Sequence, residues 1–136
     1  MTRITGALIG LYVAILSHGA VACEAVSEDM HIESATAAFT GTIRESKPVE
    51  KDADELLQFT VDKAYRGNLT GQATVVAPAH PCRYKKHEAG ETWLIVGELG
   101  EDGKVTITWD SPSVKIRNAD GTPTDKDIEL LLAKLK

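Results

Sequence analysis

The sequence contains two cysteines, Cys23 and Cys82, and their chemistry constrains the protein more than that of any other residue type. An even number of cysteines in a small domain of an oxidising compartment favours one disulfide bond. Cys23 also follows small residues, as the lipid-bearing cysteine of a bacterial lipoprotein does, although Ala20 replaces the usual Leu. Cys82 lies between His80 and His87, a weak metal-ligand pattern without a second ligand pair. The disulfide is therefore the favoured interpretation, and the other two remain alternatives.

Residues 1–22 have the features of a secretory signal peptide. Arg3 supplies the positive start, residues 4–16 form a short apolar stretch, and Ala20-Val21-Ala22 is an A-x-A cleavage site. The stretch is shorter than the roughly 18 residues that a membrane-spanning helix needs. We therefore expect a secreted or periplasmic protein whose mature chain begins at Cys23.

The other candidate catalytic and metal-binding groups lie in polar segments. Asp52, Asp54 and Glu55 form a carboxylate cluster on a predicted loop, and His31 lies in an acidic segment where a weak metal site is the alternative to solvation. The acidic neighbours of His31 are Glu28, Asp29 and Glu33. The sequence has no G-x-S-x-G, H-E-x-x-H or phosphate-binding loop. We predict that the protein is not an enzyme and has neither a cofactor nor a metal of its own.

Length and charge exclude further classes of function. A chain of 136 residues with 43% hydrophobic and 26% charged residues has the composition of one ordinary globular domain. Its formal net charge of -5 argues against a dedicated nucleic-acid-binding protein. A short basic segment could contact phosphate, but solvation is its commoner role; it comprises Arg83, Tyr84, Lys85, Lys86 and His87.

Six segments of the mature chain are typical of β-strands, and most of them alternate apolar with polar residues. Their predicted bounds are 35–45, 56–65, 72–77, 92–96, 104–109 and 113–117. The continuous apolar run Trp93–Val96 indicates a strand that is buried on both faces, and Asp102-Gly103 indicates a hairpin turn. The side chains predicted to share one core are Phe39, Phe59, Val61, Ile95 and Ile107, and Trp93 and Trp109 are also expected inside.

The C-terminal residues change from strand to helix periodicity. Thr122-Pro123-Thr124-Asp125 is a helix start, and an apolar face follows at Ile128, Leu131, Leu132 and Leu135. The predicted fold is mainly β, a small barrel of five or six strands with this amphipathic helix packed on it. The barrel domain is predicted over residues 23–120 and the helix within residues 121–136.

The order of these features resembles the netrin-like OB-fold family that includes the tissue inhibitors of metalloproteinases (TIMPs) and their bacterial relatives. The resemblance covers residues 23 to about 117. It is carried by Cys23 directly after the A-x-A site, by segments 35–43, 59–67, 91–97 and 104–109, and by Cys82. It implies an OB-fold barrel and a Cys23–Cys82 bridge that ties the N-terminus to that barrel.

Three departures from the family pattern affect the expected function. The inhibitors begin Cys-x-Cys, whereas this chain reads Cys23-Glu24-Ala25, and the place of the second bridge partner holds Trp109-Asp110. The C-terminal subdomain of the animal inhibitors is also absent. The chain therefore resembles a short, bacterial-type member with one bridge.

The resemblance implies a partner-binding site at Cys23 and Glu24. In the inhibitors, the α-amine and carbonyl of the N-terminal cysteine coordinate the zinc of a protease, and the next side chain enters its specificity pocket. Here that side chain is Glu24, whose charge disfavours an apolar pocket. The resemblance therefore implies an exported TIMP-like binding module that acts as a monomer, and metalloproteinase inhibition through Cys23 is one expectation for its activity. The alternative is a non-inhibitory extracytoplasmic protein-interaction domain, or a lipoprotein anchored through Cys23.

Mass spectrometry of the exported protein tests the predicted terminus and bridge. The intact mass should correspond to residues 23–136 less about two mass units for the disulfide. A mass increase of the size of a diacylglycerol would establish the lipoprotein alternative instead.

Overall fold

The segments that alternate apolar and polar residues form strands in the computed structural model. The structure describes residues 23–48, 53–83 and 85–136. The described strands are β1 (Ala37–Pro48), β2 (Glu55–Arg66), β3 (Gln72–Ala77), β4 (Thr92–Leu99), β5 (Val105–Thr106) and β6 (Val114–Arg117). Helix α1 (Glu28–Ser34) precedes the strands and helix α2 (Glu129–Lys134) follows them.

Five strands close into a barrel. Strand β1 pairs antiparallel with both β2 and β4, and β2 pairs antiparallel with β3. The ring is completed by β5, which pairs parallel with β3 and antiparallel with β4. Strand β6 pairs with β4 outside this ring. The fold is mainly β and OB-fold-like, as predicted.

The interior of the barrel holds most of the predicted core. Phe39 and Phe59 meet edge to face with ring centroids 5.4 Å apart, and both are fully buried. Ile95 and Ile107 belong to the same buried cluster, whereas Val61 is only partly buried at its margin. The other members are Ala37, Ile43, Leu57, Leu69, Ala73, Val75, Ala77, Trp93 and Val105. Four of the five predicted core side chains therefore lie inside the barrel, and the fifth packs against them.

A second apolar core lies on the outer face of β1 and β4. Leu94 and Val96 of β4 point into it while their neighbours point into the barrel, which confirms that this strand is buried on both faces. Ile32 of α1 and Leu135 at the end of α2 cover them. Leu135 is 1% exposed and Leu131 and Leu132 are half-buried, so the predicted apolar face of the C-terminal helix does dock on the barrel.

The guanidinium group of Arg66, at the end of β2, joins both helices. It donates to the carbonyl oxygens of Ile32 and Ala35 at the end of α1, the latter at 3.1 Å. It also donates at 3.4 Å to the carbonyl oxygens of Lys134 and Leu135 at the end of α2. Because helix C-termini carry unpaired carbonyls and partial negative charge, one cation stabilises both ends.

The prediction that Trp109 lies in the core is wrong. Strand β5 ends at Thr106, and a turn follows in which the backbone NH of Ser111 donates to the Thr108 carbonyl at 3.1 Å. Trp109 lies in that turn, where it is half-buried and stacks on His80 with ring centroids 5.3 Å apart. The strand predicted over 104–109 is therefore shorter, because the turn interrupts its alternation.

The predicted helix start at Thr122 is also wrong, because residues 122–124 run back along β6. The NH of Asn118 donates to the Thr122 carbonyl at 2.9 Å, and the NH of Thr124 donates to the Ile116 carbonyl at 2.8 Å. Gly121 makes this return with a φ of +86°, a conformation that favours glycine. The helix itself begins at Glu129.

Helix α1 was not anticipated from the sequence. Its N-cap is Ser27, whose side chain accepts a hydrogen bond from the NH of Met30 at 3.3 Å. Only Ile32 of its seven residues is buried, so the segment has almost no apolar periodicity to detect.

The variant Phe59→Ala should lower the free energy of unfolding by about 3–5 kcal/mol, the usual cost of deleting a buried aromatic side chain. Thr60→Ala is the matched control, because Thr60 follows in the same strand and is exposed. Urea denaturation measures both. A loss below about 1 kcal/mol for Phe59→Ala would contradict the assigned inward face of β2.

Candidate functional site

The N-terminal segment, defined as residues 23–27, is exposed and precedes α1. A disulfide bond joins Cys23 to Cys82, with Cα atoms 5.7 Å apart, which confirms the predicted bridge. Cys82 is buried, so the bond links an exposed segment to the body of the domain. Both predicted partner-binding residues, Cys23 and Glu24, therefore lie at the surface beside this link.

The chain around Cys82 is ordered by polar and aromatic contacts. The backbone NH of Cys82 donates to Nδ1 of His80 at 3.0 Å, and the His80 ring stacks on Trp109. Since the Cys82 sulfur is bonded to Cys23, the alternative metal site at His80, Cys82 and His87 is not formed. Across residues 23–48, 53–83 and 85–136, no group of three His, Cys, Asp or Glu side chains could hold a metal ion.

Two side chains of the basic segment serve as structural donors. Arg83 donates to two carbonyl oxygens at the end of β3, at 2.9 and 3.2 Å. Nζ of Lys85 donates to the carbonyl oxygens of Ser111 and Ser113, at 2.8 and 2.7 Å. Tyr84, the aromatic residue of this segment, lies outside the described residues. Arg83 and Lys85 are thus engaged within the domain, which does not favour the phosphate-binding interpretation.

The carboxylate of Asp110 is a junction between the N-terminal segment, α1 and the turn after β5. One oxygen accepts from the backbone NH of Val26 at 2.8 Å and lies 3.1 Å from Nε2 of His31. The other accepts from the Thr108 hydroxyl at 2.6 Å. Burial raises the pKa of Asp110, but these hydrogen bonds and the His31 charge outweigh it and bring the pKa to about 2. The same burial acts in the opposite direction on a cation and lowers the pKa of Lys85. The negative charge of Asp110 partly offsets this decrease.

The described members of the predicted carboxylate cluster, Asp54 and Glu55, contact different partners. Asp54 accepts a hydrogen bond from the NH of Ala79 at 3.0 Å. Glu55 contacts Nδ1 of the buried His87 instead. Asp52 lies outside the described residues. Asp54 and Glu55 therefore hold separate parts of the structure and do not form an acid–base pair.

The side chains of the acidic segment around His31 also contact different partners. Glu28 and Asp29, in the first turn of α1, pair with Nζ of Lys134 at 3.2 and 2.9 Å. His31 faces Asp110 instead. The alternative metal site at His31 is not formed, because Glu28 and Asp29 pair with Lys134 of α2 while the imidazole faces Asp110.

Comparison of the sequence with protein-family models and with curated proteins yields no match. In the described part of the chain, no helix combines the length and apolarity required to cross a bilayer.

Removal of the disulfide by the double variant Cys23→Ser/Cys82→Ser should lower the free energy of unfolding by about 4 kcal/mol. The reason is that the bond closes a loop between residues 59 positions apart, which restricts the unfolded chain. Urea denaturation of the variant and of reduced wild-type protein should give similar losses. A loss below about 1 kcal/mol in both would contradict this role.

Proposed function

We propose that the protein is an exported TIMP-like binding module that acts as a monomer and inhibits a zinc metalloproteinase through its N-terminal segment. The observation that carries this proposal is the disulfide between exposed Cys23 and buried Cys82. It ties the segment to a closed barrel, and a segment that is already held loses less conformational entropy when a partner binds.

The proposed chemistry uses the backbone of Cys23. Cleavage after Ala22 would make its α-amine the chain terminus. Because α-amines have ordinary pKa values of about 7.7–8.0, the uncharged form, whose nitrogen has a lone pair, is accessible near neutral pH. The amine nitrogen and carbonyl oxygen of one residue can chelate a single metal ion. They would occupy the open position of a catalytic zinc and displace the water that the protease activates.

Glu24 would determine which protease is bound. Its side chain is exposed and directly follows the chelating residue, so it would enter the space next to the zinc. Burial of a carboxylate in an apolar pocket is unfavourable unless a cation or several hydrogen-bond donors receive it. The target expected for this sequence therefore has a polar or basic pocket.

Secretion or transport to the periplasm is part of the proposal. A disulfide in a small domain is typical of oxidising compartments, which supports export by the predicted signal peptide. The lipoprotein alternative would need the Cys23 sulfur for a thioether bond, and that sulfur is bonded to Cys82 in the structure.

A non-inhibitory interaction domain is the second candidate, and Glu24 is the observation that favours it. In that case the exposed surface around the segment would bind a protein partner without coordinating metal. Small barrels serve many binding roles, so the fold alone does not separate the two candidates. Experiments on the chain terminus do separate them.

Addition of one alanine before Cys23 should abolish inhibition, because it converts the coordinating amine into a peptide nitrogen. The measurement is residual activity of a panel of zinc proteases with the native and extended proteins, whose unfolding midpoints should be the same. Inhibition that survives the addition would exclude the chelating mechanism.

The variant Glu24→Thr should strengthen binding to proteases with apolar pockets by about 1–3 kcal/mol, because no carboxylate is then desolvated. Glu101→Thr is the matched control, since Glu101 is an exposed acid in the turn between β4 and β5. If the native protein and the Glu24→Thr variant leave the whole panel uninhibited, the interaction-domain candidate replaces the inhibitor.

A further inference from the structure

The N-terminal segment is attached to the domain at a second point besides the disulfide. The NH of Val26, three residues after Cys23, donates to a carboxylate oxygen of Asp110 at 2.8 Å. These two residues are 84 positions apart, so the contact is tertiary. Glu24 and Ala25 thus lie in a short stretch of chain with both ends anchored.

The carboxylate of Asp110 is well placed to hold this second anchor. Its side chain is 6% exposed, whereas Val26 is exposed and the hydrogen bond between them lies at the surface. Thr108 orients it through the other oxygen. Among the described residues, the titratable groups that face it are His31 of α1 and Lys85 of the loop before β4. Hydrogen bonds to a charged acceptor of this kind are stronger than those between neutral groups.

We propose that Asp110 is the positioning residue of the N-terminal segment and fixes the backbone of residues 24–26 by a charge-assisted hydrogen bond. The two cysteines of the chain are bonded to each other, so no second disulfide can hold this segment. The hydrogen-bonded carboxylate supplies the second anchor. Unlike a disulfide, it depends on the ionisation of one group.

The pH at which the anchor is released follows from that ionisation. The pKa of Asp110 is about 2 in the folded protein, against an ordinary value of 3.8. A depressed pKa means that the stabilisation is fully present above the ordinary value and is lost as the pH falls through about 2. The segment should therefore stay anchored at mildly acidic pH.

Amide hydrogen exchange and NMR titration of the oxidised mature protein test the anchor without any assumption about inhibition. In Asp110→Asn, exchange of the Val26 NH should accelerate by about tenfold or more, while the NH groups of Phe39 and Ile95 keep their protection. Asp120→Asn is the matched control, because Asp120 accepts from the NH and the hydroxyl of Thr122 at 2.9 and 2.6 Å. It should leave Val26 unchanged.

The wild-type protein provides a test that needs no variant. The chemical shift of the Val26 NH should titrate with a midpoint near pH 2, and this transition should be absent in Asp110→Asn. A midpoint near the ordinary carboxyl value, unchanged Val26 exchange in Asp110→Asn, or equal acceleration in Asp120→Asn would each overturn the anchoring role.

The consequence for inhibition rests on the proposed function. If the wild-type protein inhibits a protease, Asp110→Asn should weaken inhibition by about tenfold through faster dissociation, with the disulfide intact. Unchanged inhibition despite accelerated Val26 exchange would overturn this consequence. Absence of inhibition by the wild type would instead count against the proposed function, and the exchange and titration experiments would still decide the anchor.

Discussion

The burial of β4 on both faces is the constraint on which the remaining architecture depends. Its residues alternate between the barrel interior, which Trp93 and Ile95 enter, and the outer core, which Leu94 and Val96 enter. An apolar outer face cannot be left in water without cost, so the barrel needs a covering layer. The two short helices and β6 provide it, and this places α1, with the N-terminal segment before it, against one side of the barrel.

The helices are too short to be stable by themselves, since isolated helices of this length are marginal in water. The burial of Ile32 and Leu135 in the outer core and the hydrogen bonds from Arg66 supply the missing stabilisation. Lys134 adds a second connection by pairing with Glu28 and Asp29. Those exposed ion pairs contribute little, whereas the half-buried guanidinium satisfies carbonyl groups at both helix ends. Arg66 thus holds the helices on the barrel by hydrogen bonds, and Leu135 does so by apolar contacts.

Features that a local sequence periodicity marks, or for which the residues offer one possible pairing, could be predicted from the sequence. The strands follow from period-two alternation, and the disulfide follows from a chain with two cysteines. Helix α1 could not be found because it buries only Ile32, and Trp109 was misplaced because a turn interrupts an alternation that continues in the sequence. The Asp110 junction was also missed, since its partners Val26 and His31 are far away along the chain and no local pattern marks them.

The route by which the barrel closes has a consequence for how fast the protein folds. Ala37 pairs with Gly97, and Val75 pairs in parallel with Val105, so closure depends on contacts between distant residues. Such topologies fold slowly because loop-closure entropy is lost before the contacts form. Cys23 lies before β1 and Cys82 lies before β4, so the bond between them joins the segments that lead into these paired strands. Oxidation early in folding would therefore bring these two strands near each other and shorten the search for the closed barrel.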